Sequence, residues 1–166
     1  TELYFSELKD KNPLEPLLAK FFESPFITRH QNLQNLSLIN SQINLDQLLP
    51  HFMNHSKSIH LANFSSNSCL FEAQITSFGN LEDIDLSSVE FTPNSLISFF
   101  KSFYIISNSQ NHIPSQVSLN GLKLSDKDWV EFYNRLSTPE TTDQIGKINN
   151  LKMLSWCNNK MNGKQV

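Results

Sequence analysis

The chain has 166 residues, 39% of them hydrophobic with thirteen Phe, which is enough for one domain with a packed core. Charged residues make up only 17%, and the net charge of −3 comes without any Lys/Arg cluster, which argues against a nucleic-acid or anionic-membrane partner. No apolar run is long enough to span a membrane. The N-terminus has no charged start followed by an apolar signal core. Cys69 and Cys157 form no metal or redox spacing, so no disulfide framework is expected and a reducing, cytoplasmic location is the simpler expectation.

In chain order, Leu3 and Phe5 alternate as in a strand, with Leu8 following. A helix is predicted next: Asn12 caps it, Pro13 takes the first position, Glu15 completes a capping box, and Leu14, Leu17, Leu18, Phe21 and Phe22 form its apolar stripe. Ser24-Pro25 ends it. Residues 33–43 then place Leu33, Leu36, Leu38 and Ile43 at the first, fourth, sixth and eleventh positions, with Ser41 at the ninth. Asn44 caps a helix with Leu45, Leu48, Leu49 and Phe52 inward. Residues 56–66 give a degenerate copy: Ile59 and Leu61 in the strand, Phe64 at the ninth position, but Ser56 and Ser66 at its ends. Leu70, Phe71 and Ile75 close that unit.

The pattern is fullest at residues 81–91, with Leu81, Ile84, Leu86, Val89 and Phe91. Thr92 and Pro93 open a helix whose buried face is Leu96, Ile97, Phe99, Phe100 and Phe103. Residues 114–124 repeat it through Pro114, Val117, Leu119, Leu122 and Leu124, and Ser125 caps a helix with Trp129, Val130, Tyr133 and Leu136 inward. Residues 151–161 give the last copy, Leu151, Leu154, Trp156, Asn159 and Met161, with Asn at the ninth position. Three copies set an N-cap residue directly after the eleventh position: Asn44, Thr92 and Ser125. The polar stretches 106–112 and 137–147 read as loops between a helix and the next strand.

The pattern L-x-x-L-x-L-x-x-N-x-L followed by a capped helix resembles the ribonuclease-inhibitor-type class of leucine-rich repeats. Fourth positions lie 23 residues apart from Leu36 to Ile59 and 25 from Ile59 to Ile84, then 33 to Val117 and 37 to Leu154. The first two match the ~20–29 residues of that class. The resemblance implies an α/β fold: a right-handed, curved solenoid with a parallel concave sheet and convex helices, residues 1–166 forming a single segment of a longer array. The wording of residues 81–88 and the uneven lengths resemble the arrays of CARMIL-type regulators of actin capping protein. That implies cytosolic partners in actin assembly, although in that family the capping-protein-binding segment lies outside the repeats. RanGAP-like GTPase-activating modules share the repeat class, as do the substrate-recognition repeats of ubiquitin ligases. F-box-associated repeats often carry Cys at the ninth position, where Ser41, Phe64, Val89, Leu122 and Asn159 stand here.

In each strand the fourth and sixth side chains are expected inward, leaving the fifth on the open face. That places Ser37, His60, Asp85, Ser118 and Ser155 in one column, flanked by Asn35, Asn40, Asn63, Glu82, Asp83, Asn120 and Asn158. Of these, Ser37, His60, Glu82, Asp83, Asp85, Ser118, Asn120 and Ser155 are the candidate protein-binding residues. Glu82, Asp83 and Asp85 put three carboxylates in one strand, where a basic partner could be steered; the plain alternative is a solvated strand. No catalytic constellation stands out. His51 and His55 lack the Glu of a zincin helix, and four scattered Gly make neither a phosphate loop nor a nucleophile elbow. Asn35, Asn54 and Asn63 are sequons, but a glycan at Asn35 or Asn63 would block the open face. The expected function is therefore a non-enzymatic interaction scaffold that binds a protein partner through its concave sheet or its loops, without cofactor or metal.

Overall fold

Six short strands line up in chain order in one parallel sheet in the computed structural model, which describes residues 2–6, 15–25, 33–41, 43, 48, 59–65, 75–148 and 151–159. The elements are β1 (Glu2–Ser6), α1 (Glu15–Glu23), β2 (Asn35–Ile39), β3 (Leu61–Asn63), β4 (Asp83–Asp85), α2 (Pro93–Asn108), β5 (Gln116–Ser118), α3 (Asp126–Leu136), α4 (Pro139–Gly146) and β6 (Met153–Ser155). Register runs straight across the sheet, pairing Leu3 with Leu36, Leu36 with Ala62, Ala62 with Ile84, Ile84 with Val117 and Val117 with Leu154. Successive side chains of a strand point to opposite faces, so this fourth-position row and the sixth-position row (Leu38, Phe64, Leu86, Leu119) share the covered face. Apart from Leu3, which is partly buried, and Leu154, which is exposed, both rows sink into one core with Leu96, Phe99, Phe103, Trp129 and Phe132 of the helices.

Backbone hydrogen bonds repeat with the same phase. The second-position carbonyls of Gln34, His60, Glu82 and Ser115 each accept from the second and third N–H groups of the next unit, at 2.8–3.1 Å. The sixth-position N–H groups of Phe64, Leu86 and Leu119 donate to the fifth-position carbonyls of Asp85, Ser118 and Ser155 at 2.8 Å. At the eighth position Asn40, Ser88, Gly121 and Asn158 are all left-handed, with φ between 49° and 58°. This turns the chain out of the strand, and the eighth N–H groups of Asn40, Ser88 and Gly121 donate to Ser65, Asn120 and Cys157 of the next unit. The ninth-position Asn159 bridges backward: its Oδ1 accepts from Leu122 N and its Nδ2 donates to Leu119 O, both at 2.8 Å.

The register corrects the reading of residues 56–66. Ala62, not Ile59, aligns with Leu36 and Ile84, so the frame begins at Ile59, and the spacing is 26 residues from Leu36 to Ala62 and 22 from Ala62 to Ile84. Ile59, Ala62 and Phe64 are buried while Leu61 is exposed. The shift of three residues is odd, so it exchanges the two faces of the strand. His60 accordingly leaves the fifth position, and Asn63 takes it.

The helices bring further corrections. In α2 the expected stripe is buried as read, and Thr92 and Ser95 form a reciprocal capping box. In α1 Leu18 is buried and Phe21 partly so, but Leu17 is exposed; Ser24 closes the helix by donating N and Oγ to Phe21 O. In α3 the buried face is Trp129 and Phe132, with Tyr133 and Leu136 at its margin, whereas Val130 faces outward. Residues 137–147 are not a loop: Thr138 caps α4 there, with Pro139 in the first turn. Likewise Ile106 to Asn108 belong to the end of α2. Leu48 is buried as expected after Asn44, but Leu45, Leu49, Phe52, Leu14, Leu8, Leu70, Phe71, His51, His55 and Met161 lie outside the described residues. No helix among the described residues is long and apolar enough to cross a membrane.

Candidate functional site

The third and fifth strand positions make up the face opposite the core. Along the fifth register position run Tyr4, Ser37, Asn63, Asp85, Ser118 and Ser155, and along the third Asn35, Leu61, Asp83, Gln116 and Met153. Their side chains are half-buried or exposed, and at Ser37, Asn63, Asp85 and Ser118 the neighbours on either side in sequence are buried. A hollow of about 250 Å3 lies on this face across β2 to β5, lined by Asn35, Ser37, Leu61, Asn63, Asp83, Asp85 and Ser118.

The polar groups around it differ in how firmly they are held. Asp85 Oδ1 accepts from Ser87 N at 2.8 Å, and Asn63 Oδ1 accepts from Ser65 N at 3.0 Å, so each fixes the turn that ends its own strand. Asn120 is likewise a structural bridge, its Oδ1 accepting from Ser155 Oγ at 3.0 Å and from Cys157 N at 2.7 Å. Asp83 has no such tie among the described residues. Burial pushes its carboxyl above the ordinary value of 3.8, and the neighbouring charge of Asp85 adds to the shift.

Of the eight residues singled out from sequence, the sheet aligns Ser37, Asp85, Ser118 and Ser155 in one row and sets Asp83 beside them at the third position. His60 and Glu82 stand together at the second position instead, outside the hollow. His60 Nδ1 lies 3.4 Å from Glu82 Oε1, an ion-pair distance whose alignment makes no hydrogen bond. Tyr4, Leu61, Gln116 and Met153 are residues of this face that the sequence reading did not name, and Asn35 and Asn63 were named there only as flanks of the column. Beginning the third unit at Ile59 would have placed Leu61 and Asn63 on the face. That frame also brings Asn67, by counting, to the ninth position, the place Asn159 holds in the last unit.

What this face offers chemically is recognition: carboxylates, hydroxyls and amides on a rigid sheet, with Leu61, Met153 and Tyr4 as exposed apolar surface. Among the described residues, no three His, Cys, Asp or Glu side chains are grouped to hold a metal ion. Comparison with models of known protein families, with curated proteins and with solved structures found no match.

Proposed function

We propose that this chain is a leucine-rich-repeat segment of the ribonuclease-inhibitor type, a right-handed, curved solenoid whose concave sheet binds a protein partner without doing chemistry of its own. The observation that carries the functional reading is the open row of Ser37, Asn63, Asp85, Ser118 and Ser155, polar and accessible above a continuous core. A parallel sheet in chain order, a left-handed eighth residue at Asn40, Ser88, Gly121 and Asn158 and the Asn159 bridge support the repeat assignment. The polar row lies on strands held by the core, so its side chains are spaced by the sheet, about 4.8 Å from one unit to the next. Such a surface meets a macromolecule with little reordering of its own. The likeness to CARMIL-type arrays makes cytoplasmic proteins of actin assembly the first partners to try.

The test is affinity capture with the wild-type chain, with Asp83→Lys/Asp85→Lys on the open face and with Glu140→Lys on α4. A partner retained by the wild type and by Glu140→Lys but lost with the double variant is the expected result. Identical capture by all three would overturn the reading. Stimulation of GTP hydrolysis by a captured GTPase would move it to the RanGAP-like alternative.

A further inference from the structure

We propose that the hollow on the open sheet face is a subsite for an arginine side chain of a basic protein segment; this rests on the scaffold reading above and names what that face would hold. Asp83 and Asp85 stand two residues apart on β4 and so point to the same side, with Cα atoms about 7 Å apart. They share the hollow with Ser37, Leu61, Asn63 and Ser118.

Two features point to the chemistry of the occupant. The first is charge. Among the described residues none hydrogen-bonds or ion-pairs with the Asp83 carboxylate, while burial and the charge of Asp85 both oppose its ionisation. A half-buried carboxylate without a counter-charge is costly, and a partner that brings a cation removes that cost. The second is shape. Leu61 is exposed on the wall of the same hollow, so an apolar surface adjoins the two carboxylates. This combination matches a side chain with an apolar stem and a cationic head.

Lysine meets both requirements, and arginine meets them better. Its fork of five N–H donors can serve Asp83 and Asp85 together, with Ser37, Asn63 and Ser118 offering further oxygen acceptors around the rim. A guanidinium is also less strongly hydrated than an ammonium, so it gives up less on leaving water for the hollow. An extended segment laid across β2 to β5 would bring one such side chain to β4.

The test is titration of the 15N-labelled chain with a capped Gly-Arg-Gly peptide, its citrulline analogue, which is nearly isosteric and uncharged, and its lysine analogue. Expected are saturable shifts at the amides of Leu61, Asp83 and Asp85 with the arginine peptide. Binding should be at least tenfold weaker for the citrulline peptide and for Asp83→Asn, and several-fold weaker for the lysine peptide. Asp83→Asn keeps size and removes charge, so its spectrum also reports that the fold is intact. Absence of saturable shifts, shifts mapping to the helices, or equal binding by the citrulline or lysine peptide would overturn the assignment. The two proposals fail separately. Arginine-peptide binding with partner capture indifferent to Asp83→Lys/Asp85→Lys would sink the scaffold reading alone, whereas capture that depends on this face with no arginine preference would sink the subsite alone.

Discussion

Four eighth positions hold three residue types in one backbone geometry. Asn40, Ser88 and Asn158 carry side chains at positive φ, and Gly121 does not. A non-glycine residue in the left-handed region costs about 1–2 kcal/mol, less for Asn, whose side chain bonds locally. A Cβ at Gly121 would meet Ser88 Oγ at 3.6 Å, an ordinary contact, so backbone preference and not collision decides substitutions there. Gly121→Asn should cost under about 1 kcal/mol, while Gly121→Val should cost about 2 kcal/mol, because a β-branched residue tolerates that region worst. Urea melts of both variants check the ordering. Asp83 gives a second expectation at this scale. Its folded carboxyl titrates above the ordinary 3.8, so below that value it is protonated in folded and unfolded chains alike and carries no penalty. As pH rises, the unfolded chain ionises first, the folded state holds the extra proton, and stability is lost until the folded carboxyl has also ionised. Asp83→Asn removes that loss. The stability gain of the variant over wild type should therefore be nil near pH ~3 and full near pH ~7, as read from urea midpoints. A constant difference would show that Asp83 is not the group responsible.

Among the elements, α2 shows why some helices were legible and others not. Thr92 Oγ1 accepts from Ser95 N at 3.0 Å and Ser95 Oγ accepts from Thr92 N at 2.8 Å, so two otherwise unpaired N–H groups are satisfied by two side chains three residues apart. Thr92→Ala should destabilise by about 1 kcal/mol, seen as a lower melting temperature. The same wording opens α4, where Thr138 Oγ1 accepts from Thr141 N at 3.4 Å behind Pro139. That signal was present in the sequence, but residues 137–147 carry few apolar side chains, and a helix with one weak stripe looks like a polar loop to a periodicity argument. In α3 the missed residue was Phe132. Trp129, Phe132, Tyr133 and Leu136 follow the three- and four-residue spacing as well as the expected Trp129, Val130, Tyr133 and Leu136 do, and the packing of Phe132 against Trp129 and Trp156 selects the first set. Phe132→Ala should cost about 3–5 kcal/mol and Val130→Ala under about 1 kcal/mol in chemical denaturation.

For the molecule as a whole, the sequence reading reached the parallel α/β sheet and the register of β2, β4, β5 and β6, because aliphatic residues at fixed spacing have one way to share a core. It failed at β3, where Ile59, Leu61 and Phe64 satisfy two frames. The burial of Ala62, a residue too small to advertise itself, decides between them. The open face followed the same fate, since fifth positions can be named only once the frame is known, and His60 was taken where Asn63 stands. Shared register also means shared stability. Ile84 and Leu154 hold the same position in the frame, yet Ile84 is fully buried between β3 and β5, and Leu154, with β5 as its only neighbour among the described strands, is 42% exposed. Where each unit stabilises mainly its neighbours, a truncation between two neighbours removes two interfaces and one at the edge removes at most one. Ile84→Ala should therefore cost about 2–5 kcal/mol and Leu154→Ala about 1 kcal/mol or less. Amide exchange should follow the same order, with Leu86 N–H, bonded to Ser118 O, slower than Met153 N–H, bonded to Ser115 O. Equal costs and equal exchange would mean that the sheet opens only as one body, and the stacking of interdependent units would then not describe how this chain holds together.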